Sequence, residues 1–104
     1  MRSLYQNTLN EMVQCDGVGL HSGKKVRMLL KPAKQNTGIV FRREDLPNKP
    51  FIKACYDSVI DTRYGTTIGN PGVIEIKTVE HLMAAFMGTG VDNVEVILSS
   101  CEVP

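Results

Sequence analysis

The sequence is short of several features that mark specialised proteins, and each shortage excludes something. Apolar runs such as Met28-Leu29-Leu30 fall far below the roughly 20 residues needed to cross a bilayer, so no membrane span is expected. The three cysteines, Cys15, Cys55 and Cys101, are odd in number, widely spaced and without a CxxC pair. That argues against both a disulfide framework and a cysteine-rich zinc knuckle. Net charge is only +1, with lysines and arginines scattered along the chain, so no nucleic-acid footprint is present. The stretch Met1 to Asn10 lacks the apolar core and small-residue cleavage site of a secretory signal, which leads us to expect a cytoplasmic protein. Histidine is scarce as well: His21 and His81 are the whole supply.

What remains is the composition of a globular domain. With 104 residues, 42% hydrophobic and 22% charged, the chain reads as one domain over residues 1–104. A domain of this size buries about two-thirds of the surface its unfolded chain exposes, enough for a core with little stability in reserve.

Tyr5 to Leu9 and Met12 to Cys15 read as short first strands. They are followed by an irregular loop from Asp16 to Gly23, where three glycines fall close together. Lys24 to Leu30 reads as a strand ended by Lys31-Pro32, and Gly38 to Arg43 as another. After the proline-punctuated link Leu46 to Pro50, Phe51 to Val59 reads as strand-like, with Cys55 and Val59 as candidates for burial. Thr66 to Ile68 and Val73 to Lys77 flank Gly69-Asn70-Pro71-Gly72, a hairpin pattern. Thr78 is placed to cap a helix starting at Val79, which Gly88 and Gly90 would stop. Val94 to Leu98 then reads as a closing strand. The fold class that follows is α+β, an antiparallel or mixed β-sheet with a helix packed on one face.

The candidates for chemistry are few. Glu80-His81 stands at the expected helix start, where adjacent residues project about 100° apart and cannot bind one ion as an i,i+4 pair does. A helix N-terminus can still aim both at one cavity. His81 could then give an imidazole nitrogen to Zn²⁺ while Glu80 acts as general base. The plainer alternative is a carboxylate favoured by the helix dipole beside a packed imidazole. HExxH fails because Glu80 precedes its histidine, and HxxEH fails because position 77 is Lys77. The loop Gly17-Val18-Gly19-Leu20-His21-Ser22-Gly23-Lys24 matches neither nucleotide fingerprint. Its third glycine is one residue late for GxGxxG, and Val18 and Lys25 break the phosphate-loop pattern. A turn across which His21 hydrogen-bonds is the simple reading of it.

Four segments occur together in order: Gly17-Val18-Gly19-Leu20-His21-Ser22-Gly23, Thr37-Gly38-Ile39-Val40-Phe41-Arg42-Arg43, Thr78-Val79-Glu80-His81-Leu82 and Gly90-Val91-Asp92-Asn93. Over essentially its whole length the chain resembles the UDP-3-O-acyl-N-acetylglucosamine deacetylase family. The resemblance implies zinc-dependent hydrolysis of the N-acetyl group of a UDP-sugar acyl substrate, UDP-3-O-(3-hydroxyacyl)-N-acetylglucosamine, the committed step toward lipid A in Gram-negative bacteria. It implies Zn²⁺ as cofactor, His81 as a metal ligand and Glu80 as the catalytic base. It further implies that Leu20, Thr62, Arg63 and Tyr64 border the substrate, although the family is usually more apolar or sulfur-bearing where Arg63 and Tyr64 stand.

By the same resemblance the chain is the first of two similar domains. The remaining ligands, a histidine and an aspartate, and a histidine acting as general acid belong to the second deacetylase domain. Ser99-Ser100-Cys101-Glu102-Val103-Pro104 stands where the family usually has a Gly-Pro-Glu-Ile/Val-Pro type segment. The chain is therefore expected to be an N-terminal part, inactive alone. The contrasting expectation is a noncatalytic binding or assembly domain.

Overall fold

The structure, a computed structural model, describes residues 5–104, and its centre is the strand that comes last in sequence. Among the described residues the order is β1 (Val13–Val18), β2 (Lys25–Pro32), β3 (Ile39–Arg43), β4 (Phe51–Lys53), a 3₁₀ turn (Tyr56–Ser58), β5 (Val59–Asp61), β6 (Thr67–Asn70), β7 (Ile74–Ile76), α1 (Glu80–Thr89) and β8 (Val94–Leu98). Alternation explains β8: Val94, Val96 and Leu98 are fully buried, while Glu95 and Ile97 are only partly so.

One side of β8 pairs antiparallel with β2, setting Met28 opposite Leu98, and the other pairs parallel with β3, setting Phe41 opposite Val96. The five-stranded order is β1-β2-β8-β3-β4. A parallel pair needs a long crossover, and here the intervening chain includes a second sheet, β5-β6-β7, and the helix. Val26, Met28 and Phe41 from the large sheet meet Ile68, Ile74 and Ile76 from the small one in a single core with Val79, Phe86 and Val103.

The expected hairpin is present. Pro71 and Gly72 fill the turn, Gly72 at φ 81°, and the Val73 N–H reaches the Asn70 carbonyl at 3.0 Å. Helix α1 buries Phe86 and packs Leu82 and Met83 against the core, whereas Ala84, Ala85 and Met87 face outward. The α+β expectation, with a helix on one face of a sheet, therefore holds. Gly90, at φ 76°, ends the helix, and the next N–H, that of Val91, bonds the Phe86 carbonyl at 2.9 Å. Gly88, expected as a stop, lies inside it.

Four local expectations are corrected. Tyr5 to Leu9 forms no strand, only a single bridge between Thr8 and Asn93. β1 extends through Gly17 and Val18, so the irregular loop is shorter than the glycine spacing suggested. Phe51 to Val59 is interrupted, because the Ser58 hydroxyl donates to the Cys55 carbonyl and accepts from the Cys55 N–H. Such local bonds compete with a ladder, and Cys55 and Val59 end up exposed. Thr78 does not cap α1 through its side chain; its hydroxyl is engaged elsewhere. No described helix is long and apolar enough to cross a membrane.

Candidate active site

The site begins where β7 gives way to α1. Lys77 is pinned by two main-chain bonds, its N–H to the Cys101 carbonyl at 2.7 Å and the Val103 N–H to its own carbonyl at 3.1 Å. Thr78 then turns the chain with φ 63°, a left-handed conformation rare for a β-branched residue. Val79 is buried and its N–H bonds the Thr66 carbonyl at 3.1 Å. Glu80 emerges as the first helical residue.

The carboxylate of Glu80 turns back toward the small sheet, where its Oε2 accepts the Thr66 N–H at 2.8 Å. Gly65, at φ 104°, leaves it room: a Cβ there would stand 2.9 Å from Glu80 Oε1. Burial works to raise the Glu80 pKa. The Thr66 N–H, Glu80's own N–H at the helix start, and the charges of His81 and His21 outweigh it and hold the pKa below its ordinary 4.5. Glu80 is thus an ionised, oriented carboxylate at neutral pH. His81, next to it, is exposed.

The glycine loop and the bend before the helix meet at Glu102, which bonds His21 and Ser22 on one and Thr78 on the other. The loop closes on itself through the Gly19 N–H to the Lys24 carbonyl and the Gly23 N–H to the Gly19 carbonyl, both at 3.0 Å. Its shape is fixed by Glu102, which is fully buried. Glu102 Oε1 accepts the Ser22 N–H at 2.7 Å, both oxygens share the His21 N–H at 3.0 and 3.1 Å, and Oε2 accepts the Thr78 hydroxyl at 2.7 Å. It is thus the main-chain N–H of His21, and not its ring, that these bonds engage.

The residues expected to border a substrate lie on two exposed segments. Leu20 is 78% exposed beside His21, and Thr62, Arg63 and Tyr64 form an exposed segment leading into Gly65 and Thr66, which touch Glu80. Arg63 is turned onto Asp61, with Nη2 2.9 Å from Oδ2 and its N–H 2.9 Å from Oδ1. The side-chain bond from Arg63 is the main reason that the Asp61 pKa falls to about 2.

A metal ion would find an exposed imidazole at His81 with an ionised carboxylate beside it, a chemistry that suits one ligand and one base. Among the described residues no cluster of three histidine, cysteine or acidic side chains could hold an ion. These residues therefore fit as a fraction of a zinc site, short of the three protein ligands a catalytic zinc uses.

Glu102 went unnoticed in the sequence. One signal was available: Glu102-Val103-Pro104 matches the Glu-Val-Pro end of the family segment set beside Ser99 to Pro104. Its partners were invisible because two of its donors are main-chain N–H groups. The consequence is measurable. Burial alone would raise the Glu102 pKa, but the bonds from the Thr78 hydroxyl and from the Ser22 and His21 N–H groups bring it down from 4.5 to about 2. With the folded pKa depressed, the unfolded chain takes up the proton first as pH falls. Stability from this group is complete above about pH 4.5 and lost on descending toward pH 2. Thermal melts between pH 5 and 2 should show a steeper decline for the wild type than for Glu102→Gln, which starts less stable; equal slopes would contradict this.

The sequence model of the LpxC family, described as UDP-3-O-acyl N-acetylglycosamine deacetylase, matches residues 6–104. Proteins named UDP-3-O-acyl-N-acetylglucosamine deacetylase from Thioalkalivibrio sulfidiphilus and Marinobacter nauticus are each 50% identical over 99 residues, and one from Acidithiobacillus ferrooxidans is 52% identical. Each alignment covers 95% of this chain and 32% of the relative, so the chain spans about a third of the length of the curated relatives it matches.

Proposed function

Because the chain belongs to the UDP-3-O-acyl N-acetylglycosamine deacetylase family, we propose that it supplies the base and one metal ligand of a zinc-dependent deacetylase acting in the cytoplasm on a UDP-3-O-acyl-N-acetylglucosamine substrate, at the committed step toward lipid A. The observation that carries this reading is the ionised Glu80, held by the Thr66 N–H at 2.8 Å and set beside the exposed His81.

An amide carbonyl is a poor electrophile, and neutral water is a poor nucleophile. Zinc, when bound, would polarise the carbonyl and acidify a water. His81 would hold the metal from this side. Glu80 would accept the proton of the attacking water through whichever oxygen lone pair the Thr66 N–H leaves open, since that bond fixes the carboxylate without protonating it. The Thr62 to Tyr64 segment and Leu20 would form walls around the sugar or acyl group. The other ligands and the acid for the leaving amine would come from a second deacetylase domain, so the 104 residues alone should not turn over.

The test is a fusion in which this chain replaces the matched third of the Thioalkalivibrio sulfidiphilus relative. We expect the fusion to carry about one zinc per chain and release acetate, His81→Ala to lose both while remaining folded, and the 104-residue chain to do neither. Unchanged zinc content in His81→Ala would remove the ligand assignment, and acetate release by the short chain would remove the need for a second domain.

A further inference from the structure

Two features of the site are costly by themselves. Thr78 holds φ 63°, a conformation whose cost for a non-glycine residue is about 1–3 kcal/mol and which persists only where the surroundings enforce it. The loop Gly19 to Ser22 presents two neighbouring main-chain N–H groups, of His21 and Ser22, away from any strand partner. One side chain answers both. Glu102 binds the two loop N–H groups and the Thr78 hydroxyl at once, from a fully buried position. The segment that carries it is pinned in turn to Lys77 by main-chain bonds on either side of Glu102.

We propose that Glu102 is a positioning residue for the reaction: its single carboxylate joins the loop that carries Leu20 and His21 to the bend at Thr78 from which Glu80 and His81 emerge, and so sets the distance between the two halves of the site. The role rests on the reading of Glu80 and His81 as base and ligand. Glu102 itself touches neither residue and takes no part in proton transfer. Acting through Thr78, it fixes the direction in which α1 leaves β7. That direction decides whether the Glu80 carboxylate reaches the Thr66 N–H. The ionised carboxylate accepts from the His21 and Ser22 N–H groups and the Thr78 hydroxyl together; a glutamine keeps one oxygen, so its amide N–H₂ would face either a main-chain N–H that can only donate or the Thr78 hydroxyl, which would have to reverse.

The Thr66 amide proton is a reporter outside the bonds of Glu102: it donates to the Glu80 carboxylate. Amide spectra and hydrogen exchange of the 104-residue chain would be recorded for the wild type, Glu102→Gln and Thr78→Val. In Glu102→Gln we expect His21 and Ser22 to exchange roughly 10- to 100-fold faster, as for lost bonds to a charged group, and the Thr66, Glu80 and His81 signals to move, while Val94, Val96 and Leu98 keep their protection. Thr78→Val removes the hydroxyl and keeps the β-branched shape. It should move Thr66, Glu80 and His81 as well, and it decides the matter if Glu102→Gln does not fold. Unmoved Thr66, Glu80 and His81 signals in a folded variant would overturn the proposal and leave Glu102 as an anchor of the loop only. None of these signals depends on zinc or turnover, so a failed deacetylase reading would be seen separately in the fusion assay.

Discussion

Glu80→Gln, placed in the fused deacetylase, should lower kcat by about 10²–10⁴-fold, the range associated with a general base, while zinc content and fold are retained. Glutamine keeps the size of the side chain and can still accept the Thr66 N–H through its amide oxygen, so the 2.8 Å contact need not be lost. What disappears is the proton acceptor. The wild-type carboxylate has its pKa held below 4.5, and no acid limb from this group is expected near neutral pH. Acetate release measured by coupled assay, with metal analysis on the same samples, separates this from loss of the metal. A variant within about twofold of wild type would show that another group takes the proton.

Gly19→Ala should have the largest effect on stability. A Cβ at this buried position would lie 2.5 Å from both Glu102 Oε1 and Ser22 Oγ and 3.0 Å from the Glu102 carboxyl carbon. Overpacking of this kind costs about 1–3 kcal/mol. Here the neighbour cannot simply swing aside, because Glu102 is fully buried and holds donors from His21, Ser22 and Thr78. If the carboxylate shifts, each donor left unpaired adds about 1–3 kcal/mol more. Against a typical total of about 5–15 kcal/mol, the substitution should leave the chain marginally folded. Urea unfolding of the two proteins checks it; a midpoint unchanged from wild type would mean that the loop relaxes freely. Gly23, where nothing lies within 4 Å of an added Cβ, is a useful contrast. Its φ of 68° is the only objection to a side chain there, so its alanine variant should cost less.

The sequence was readable where one segment contains its own explanation. Val94 to Leu98 alternates, Pro71-Gly72 favours a turn, and Leu82 to Met87 are helix formers, so β8, the hairpin and α1 all appeared near their expected places, with β6 running on through Gly69 and Asn70. Glu80-His81 was readable for the same reason, since the two residues are adjacent. Long-range partners were not readable. Thr78 has the composition of an N-cap, and only the presence of Glu102, 24 residues away, diverts its hydroxyl. Ser58 likewise took a neighbouring carbonyl and broke what apolar spacing alone marked as one strand. The pairing of β3 with β8 joins residues more than 50 positions apart, and no local pattern announces its parallel sense.

That pairing also governs how the molecule can fold. β8 lies between β2 and β3, so the two flanks of the large sheet have no common neighbour until residues 94–98 are available. Assembly that waits on contacts so distant in sequence is slow, typically milliseconds to seconds for sheets of this kind. During synthesis at about 5–20 residues per second, the β2 and β3 edges would be exposed for seconds as open templates for other chains. Chaperone demand and aggregation during expression should therefore track the arrival of β8, and the bonds of Glu102, which follows it, can form only after that strand is in place.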